Sequence, residues 1–266
     1  MSVSQPDQSC SPRPVTAVVV VAMPEEAAPF VEVLEPLEGA PALPGLPGPG
    51  GVVSLSLPGR AGGARASSHA GPRELVLVRS GIGLVNAASA LATVLVTVRP
   101  ELVISAGTTG GLGRQVEVGD VCISDTLSYT DADATAFGYA RGQVPGMPVL
   151  YAGDSDALDL LAARVGALHT ATASSGQARL HRGLMLAGQS FVTAENVADA
   201  REVFPAALST DMESTALAQV AAGAGVPFVS VRGVSDLCGP EAGQEFHIGV
   251  EEAAARSATM VLALLA

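Results

Sequence analysis

The strongest constraint on the fold of this chain is the segment 15–22, which reads Val-Thr-Ala-Val-Val-Val-Val-Ala. A continuous run of β-branched and small apolar residues is typical of a strand buried on both faces of a parallel sheet. Further apolar segments of strand length recur along the chain, and helical patterns separate them. This alternation predicts a single-domain, three-layer α/β/α fold around a central mixed, mostly parallel twisted sheet.

Local signals place the individual elements. Pro24, Glu25 and Glu26 mark the start of a helix that we expect to run to about Leu37, because proline and acids favour the first helical turn. The other expected strands lie at 52–57, 74–79, 102–106, 116–124, 183–188 and 228–234, and the other expected helices at 84–98, 155–168, 194–203, 210–223 and 250–265.

A length of 266 residues fits one large α/β domain. Residues 1–14 are polar and rich in Ser, Pro and Gln, so we expect a disordered N-terminal tail before a folded domain at 15–266. Segment 40–72 is rich in Gly and Pro and predicts a hairpin that carries a long loop.

Composition disfavours several classes of function. The formal charge of −12 repels nucleic-acid backbones and anionic lipids, and 3% aromatic residues are too few for a base-stacking platform. Neither the three cysteines nor the four histidines have the spacing of a metal site or a disulfide framework. With no signal-peptide pattern and no long apolar run, we expect a cytoplasmic protein that needs no metal or cofactor.

Chemistry in such a sheet belongs beyond the carboxyl ends of the strands. The segments expected there are 23–26, 80–83, 107–111, 188–191 and 235–236. Three acids fall in or near them, but each has an ordinary structural explanation. Glu26 complements a helix dipole, Glu213 completes a capping box with Thr210, and Asp236 fits a turn.

Common nucleotide motifs are missing. Gly81-Ile82-Gly83 resembles the start of a dinucleotide-binding turn, but Asn86 occupies the third glycine position and no acid ends the next strand. The sequence also contains neither a phosphate-binding loop of the Gly-Lys-Ser/Thr type nor the Gly-x-Ser-x-Gly elbow of hydrolases.

Taken together, eight segments in order resemble the methylthioadenosine/S-adenosylhomocysteine nucleosidases of the purine nucleoside phosphorylase superfamily. The most specific stretch is 131–139, Asp-Ala-Asp-Ala-Thr-Ala-Phe-Gly-Tyr, followed by Gly-Gln-Val-Pro-Gly at 142–146. The others are 22–26 (Ala-Met-Pro-Glu-Glu), 80–83 (Ser-Gly-Ile-Gly), 107–111 (Gly-Thr-Thr-Gly-Gly), 118–120 (Val-Gly-Asp), 211–216 (Asp-Met-Glu-Ser-Thr-Ala) and 231–236 (Val-Arg-Gly-Val-Ser-Asp).

The resemblance implies a nucleoside phosphorylase-like catalytic domain that hydrolyses 5′-methylthioadenosine, S-adenosylhomocysteine or 5′-deoxyadenosine to adenine and the 5′-substituted ribose. It implies that Asp236 protonates N7 of the purine while Ser235 holds its carboxyl group. Glu26 would activate the water, and Glu213 would bind the ribose hydroxyls beside Met212. The departing purine and an oxocarbenium-like sugar need such acid–base help.

The resemblance also implies binding residues. Phe191 and Val192 would form the adenine pocket, while Thr108 and Gly110 would lie near the substrate. Other positions match residues that shape the site from further away. Phe137 and Pro145 would cover the 5′ pocket of a partner in a homodimer, and Arg232 would pair with Asp211 beneath the site.

Three alternative functions remain at this stage. A phosphorylase would need cations near the end of the first strand, where Arg79 is the one nearby candidate. A hydrolase of another 5′-modified adenosine, such as aminodeoxyfutalosine, is a second possibility, since 237–240 and the long segment 40–72 depart from the family pattern. A catalytically silent purine-binding module is the third, and the three acids argue against it.

Overall fold

The computed structural model describes residues 11–46, 48, 50–59, 73–239 and 248–266. Its strands are β1 (Arg13–Val15), β2 (Ala17–Val21), β3 (Gly51–Ser56), β4 (Glu74–Arg79), β5 (Val98–Pro100), β6 (Val103–Gly111), β7 (Val121–Tyr129), β8 (Tyr151–Ala152), β9 (Leu180–Ala187), β10 (Ala207–Asp211) and β11 (Phe228–Leu237). Its α-helices are α1 (Pro24–Val33), α2 (Leu84–Leu95), α3 (Ser155–Ala163), α4 (Val197–Val203), α5 (Ser214–Gly223) and α6 (Val250–Leu265).

The main sheet has the order β10-β9-β7-β11-β6-β2-β4-β3, with β8 added beside β7. Most pairings are parallel, but β3 with β4, β7 with β11 and β7 with β8 are antiparallel, which confirms the predicted mixed sheet. An antiparallel contact between β10 and β6 closes β6, β11, β7, β9 and β10 into a ring. The sequence did not predict this closure, because periodicity does not show which distant strands pair.

Helices cover both faces of the sheet, as predicted. Alternate residues of β2 enter separate cores, with Val19 and Val21 on one side and Val18 and Val20 on the other. The first core is completed by α1, α3 and α6, and the second by α2 and α5. The uninterrupted valine run is therefore explained by burial on both faces.

Several predicted boundaries were wrong. The helix after β2 ends at Val33 rather than near Leu37, since Leu34 is already extended and Pro36 follows it closely. Helix α2 stops at Leu95, and the chain then forms β5. The strand expected at 116–124 is displaced to β7, because Asp120 closes a turn by accepting the Glu117 N–H at 3.0 Å.

The predicted capping box at Thr210 and Glu213 was also wrong. Thr210 belongs to β10, and α5 begins only at Ser214. Asp211 performs the capping instead, accepting the N–H groups of Glu213 and Ser214 at 2.8 and 2.7 Å. The Glu213 side chain therefore takes no part in capping and can contact other groups.

The N-terminal boundary differs from the expected one. Residues 13 and 14, assigned to the tail, pair with β5 in β1, and Arg13 forms a salt bridge with Glu74 at 2.7 Å. The first ten residues lie outside the described residues, as do 47, 49 and 60–72 of the hairpin and loop expected at 40–72. Strands β3 and β4 pair antiparallel, as expected for the hairpin. No helix among the described residues is long and apolar enough to cross a membrane.

Candidate active site

A cleft opens where β2, β6, β9, β10 and β11 reach their carboxyl ends. The residues that sequence analysis proposed and that line this cleft are Glu26, Thr108, Gly110, Phe191, Val192, Met212, Glu213, Ser235 and Asp236. Three acids from distant parts of the chain therefore share one cavity. Separate structural explanations for each acid do not account for this convergence.

Glu26 is fixed by four hydrogen bonds. One carboxylate oxygen accepts the N–H groups of Ala22 and Met23 at 2.8 and 3.2 Å. The other accepts the Thr108 N–H at 2.8 Å and the Thr108 hydroxyl at 3.1 Å. The side chain is only 2% exposed, so its orientation in the cleft is tightly determined.

Gly107 is what lets β6 approach Glu26 this closely. Its φ is +130°, and a Cβ added there would lie 2.3 Å from the nearer Glu26 oxygen. Only glycine combines that backbone conformation with that space. A similar requirement holds at Gly110, where a Cβ would lie 2.3 Å from the Cys238 sulfur.

Glu213 is held between a helix terminus and a cation. The Gly83 N–H donates to one carboxylate oxygen at 2.8 Å, and Arg232 lies 3.2 Å from the other. Burial raises the pKa of Glu213 to about 7, with the nearby Asp211 acting in the same direction and Arg232 opposing it. Burial therefore favours the protonated form of Glu213, whereas the Arg232 cation favours the ionised form.

Asp236 and Ser235 both face the cleft because β11 contains an irregularity there. Val234 pairs with Thr109 and Asp236 with the next residue, Gly110, so Ser235 is the extra residue of a bulge. Bulges of this kind redirect side chains that would otherwise alternate between faces. The Ser235 hydroxyl donates to one Asp236 oxygen at 2.8 Å, which leaves the other oxygen for a ligand.

Arg232 is a buried connector beneath the cleft, with 1% exposure. Its guanidinium lies 3.5 Å from Asp211, which confirms the predicted ion pair, and it also pairs with Glu213. It donates further to the Thr108 carbonyl at 3.0 Å and the Ser105 hydroxyl at 2.7 Å. One side chain thus joins β6, β11 and the start of α5 under the site.

The residues that the resemblance assigns to the adenine pocket and to the dimer contact are less enclosed. Phe191 lines the cleft but remains 68% exposed, and its carbonyl accepts the Asn196 side-chain amide at 3.0 Å. Phe137 and Pro145 do not line the cleft of this chain; both are exposed, Phe137 to 82%. Neither of these two residues therefore contributes to the cavity formed by its own chain.

Sequence reasoning missed some lining residues, of which Cys238 is the clearest example. Its thiol is buried against Gly110, and burial raises the thiol pKa to about 12, so it stays protonated and is a packing group rather than a nucleophile. Its position two residues after Asp236 was the available signal. Ile82 and Thr109 were missed as well, although both lie in segments expected at the strand ends.

Comparison with known proteins identifies the family of the chain. The family profile described as Phosphorylase superfamily matches residues 16–266. Over 206 residues the chain is 39% identical to a 5′-methylthioadenosine/S-adenosylhomocysteine nucleosidase of Chromohalobacter salexigens, covering 77% of this chain and 85% of the relative. A Staphylococcus aureus nucleosidase with the same description is 40% identical over 194 residues, covering 73% and 82%.

Solved structures with a similar fold are also nucleosidases of this kind. The nucleosidase from Neisseria meningitidis in complex with methylthio-immucillin-A has a TM-score of 0.72 and 32% identity, covering 94% of this chain and 97% of that one. The Colwellia psychrerythraea nucleosidase in complex with adenine has a TM-score of 0.75 and 30% identity, with 96% of each chain covered.

Proposed function

This chain belongs to the phosphorylase superfamily and, within it, to the 5′-methylthioadenosine/S-adenosylhomocysteine nucleosidases, and we propose that its cleft hydrolyses the N-glycosidic bond of 5′-substituted adenosines. The observation that carries the proposal is the convergence of Glu26, Glu213 and Asp236 in one cavity beside Met212 and Phe191. Such a cavity offers acids for the reacting bond and apolar surface for the purine and sugar.

In the proposed reaction the bond between C1′ and N9 breaks as a water oxygen attaches to C1′. Glu26 accepts a proton from this water, and Asp236 gives a proton to purine N7, so adenine leaves neutral and the sugar gains a hydroxyl. The fixed orientation of Glu26 and the Ser235 hydrogen bond to Asp236 support these roles. Each correctly placed proton transfer contributes about 10²–10⁴-fold to the rate.

The ribose and purine have separate binding groups in this proposal. Glu213 accepts the ribose hydroxyls, and Met212 packs under the sugar near the Thr108 hydroxyl. Phe191 stacks on the adenine ring, while the backbone of Val192 and the close approach at Gly110 complete the purine side. All of these residues line the same cleft.

Charge favours water over phosphate as the nucleophile. Four acidic residues line the cleft, namely Glu26, Asp211, Glu213 and Asp236, and the one basic lining residue within the described ranges is Arg232, which already faces two of them. Arg79 is not among the lining residues. A dianionic phosphate would therefore find, in the described lining, no basic side chain that is not already paired with acids.

The proposal includes a homodimer in which Phe137 and Pro145 cover the partner's 5′ pocket. Both residues are exposed, and the neighbouring Met147, Val149 and Leu150 expose further apolar surface. Clustered apolar groups on a surface are typical of an interface. The second copy would explain why these residues lie outside the cleft of their own chain.

The deciding experiment incubates the protein with 5′-methylthioadenosine in phosphate-free buffer and, in parallel, with phosphate. Chromatography should show adenine in both buffers, and mass spectrometry should identify 5-methylthioribose. A 5-methylthioribose 1-phosphate product that appears only with phosphate would establish a phosphorylase, and the absence of adenine would refute the proposal. Parallel reactions with S-adenosylhomocysteine, 5′-deoxyadenosine and aminodeoxyfutalosine rank the substrates.

A further inference from the structure

Gln189 occupies a junction between three parts of the molecule. It follows β9, and its backbone N–H donates to an Asp131 carboxylate oxygen at 2.8 Å. Its side-chain carbonyl accepts the Leu84 N–H, the first of α2, at 3.1 Å. No role in the proposed chemistry accounts for these contacts.

The start of α2 needs the acceptor that Gln189 supplies. The first N–H groups of a helix have no partner within the helix, and the N-cap residue here, Gly83, has no side chain to offer. The Gly83 N–H donates to Glu213 at 2.8 Å, and the next N–H along, that of Leu84, donates to Gln189. Two consecutive backbone N–H groups at the start of α2 therefore bind two different parts of the site. The Gly83 N–H binds Glu213, the proposed ribose ligand, and the Leu84 N–H binds Gln189, which leads to Phe191.

We propose that Gln189 is a positioning residue that sets the place of the Phe191 ring for purine binding. Phe191 is 68% exposed, so packing does little to fix its position. Its segment is instead tied at two points, at Gln189 on one side and through the Asn196 amide on the Phe191 carbonyl on the other. This inference rests on the proposed function, because it assumes that the ring stacks on a purine.

The proposed role of Gln189 can be tested with two substitutions whose side chains are close in size to glutamine. Gln189→Met keeps the length of the side chain but has no acceptor for the Leu84 N–H. Gln189→Glu keeps the acceptor, and a negative charge at a helix N-terminus is favourable. If Gln189 acts through the ring, only the methionine variant should weaken purine binding.

Steady-state kinetics on 5′-methylthioadenosine should show KM raised about fivefold in Gln189→Met, near what one hydrogen bond contributes, with kcat within about twofold of wild type. Gln189→Glu should stay within about twofold in both constants. In a Phe191→Ala background the methionine substitution should add nothing, because coupled residues are not additive. An unchanged KM in Gln189→Met, or the same increase with and without Phe191, would overturn the inference.

A parallel measurement separates this inference from the proposed function. Calorimetric titration with adenine measures purine binding without turnover, and the same fivefold weakening in Gln189→Met is expected. Wild-type protein that binds adenine but releases none from nucleosides would refute the proposed function while leaving the positioning role measurable. Equal adenine affinity in wild type and Gln189→Met would refute the positioning role alone.

Discussion

Asp236 is the side chain on which departure of the purine depends in the proposed reaction. Asp236→Asn keeps the shape and can still accept a hydrogen bond from the Ser235 hydroxyl, but an amide N–H is not acidic enough to transfer its proton to N7. We expect turnover of 5′-methylthioadenosine to fall about 10²–10⁴-fold, with the melting temperature almost unchanged. A variant that retains a tenth or more of wild-type kcat would remove Asp236 from the mechanism.

Glu26 gives a complementary test of the proposed water activation. Glu26→Gln should bind 5′-methylthioadenosine but not hydrolyse it, because purine binding is assigned to other residues. Each oxygen of the Glu26 carboxylate accepts two hydrogen bonds, and in the variant an NH2 group, which cannot accept them, replaces one of these oxygens. We therefore also expect the free energy of unfolding to fall by about 1–3 kcal/mol. Calorimetry measures substrate binding by the variant, and chromatography measures adenine release. Rapid adenine release by the variant would contradict the assignment of water activation to Glu26.

Glu213 predicts a pH dependence of stability. Because burial raises its pKa from 4.5 to about 7, the folded protein holds a proton that the unfolded chain releases between these values. Its stabilising contribution is complete below about pH 4.5 and is lost as pH rises through 7. Glu213→Gln does not titrate, so urea unfolding from pH 5 to 8 should show wild type losing stability relative to the variant; parallel curves would disprove the shift.

At the scale of elements, the approach of β6 to α1 fixes Glu26, to which the proposed reaction assigns the activation of water. Gly107→Ala should displace the Glu26 carboxylate, since the added Cβ would lie 2.3 Å from it, and turnover should fall more than tenfold. Gly225→Ala is the matched control, because Gly225 also has a positive φ, +66°, but no atom within 4 Å of the added carbon.

The control should lose about 1–2 kcal/mol of stability from the backbone conformation alone and keep its kcat. Unfolding curves and kcat for both variants separate backbone strain from displacement of Glu26. Equal kcat in the two variants would show that the contact between β6 and Glu26 does not matter for turnover.

At the scale of the whole molecule, the proposed homodimer predicts that one surface controls both assembly and activity. Phe137→Asp should shift the mass measured by analytical ultracentrifugation from dimer to monomer and raise KM for 5′-methylthioadenosine, because the partner's 5′ pocket loses its cover. Val33→Asp is the control, since Val33 is a 66% exposed apolar residue on α1, and α1 packs into the first core, whereas Val144 beside Pro145 packs against the second, on the other face of the sheet. A monomeric wild type, or a dimeric Phe137→Asp with normal KM, would contradict the assembly.

The sequence by itself determined the elements whose signal is local. The valine run of β2, the strand β4 and the helix α6 follow from periodicity and flanking residues, and their bounds agree with prediction to within a few residues. The order of strands and helices also sufficed to predict the layers and the edge of the sheet where the acids lie, because parallel strands share their carboxyl ends.

Only the tertiary structure decided the contacts between distant segments. The β10–β6 closure, the bulge that turns Ser235 and Asp236 together, and the pairing of Arg232 with Glu213 in addition to the predicted Asp211 involve residues far apart along the chain. The start of α5 shifted for the same reason, because Thr210 pairs with Gly110 of β6 and Leu186 of β9 and so belongs to the sheet, which leaves the cap to Asp211. Propensity and periodicity sum over neighbouring residues, whereas pairing and charge burial depend on which groups the fold brings face to face.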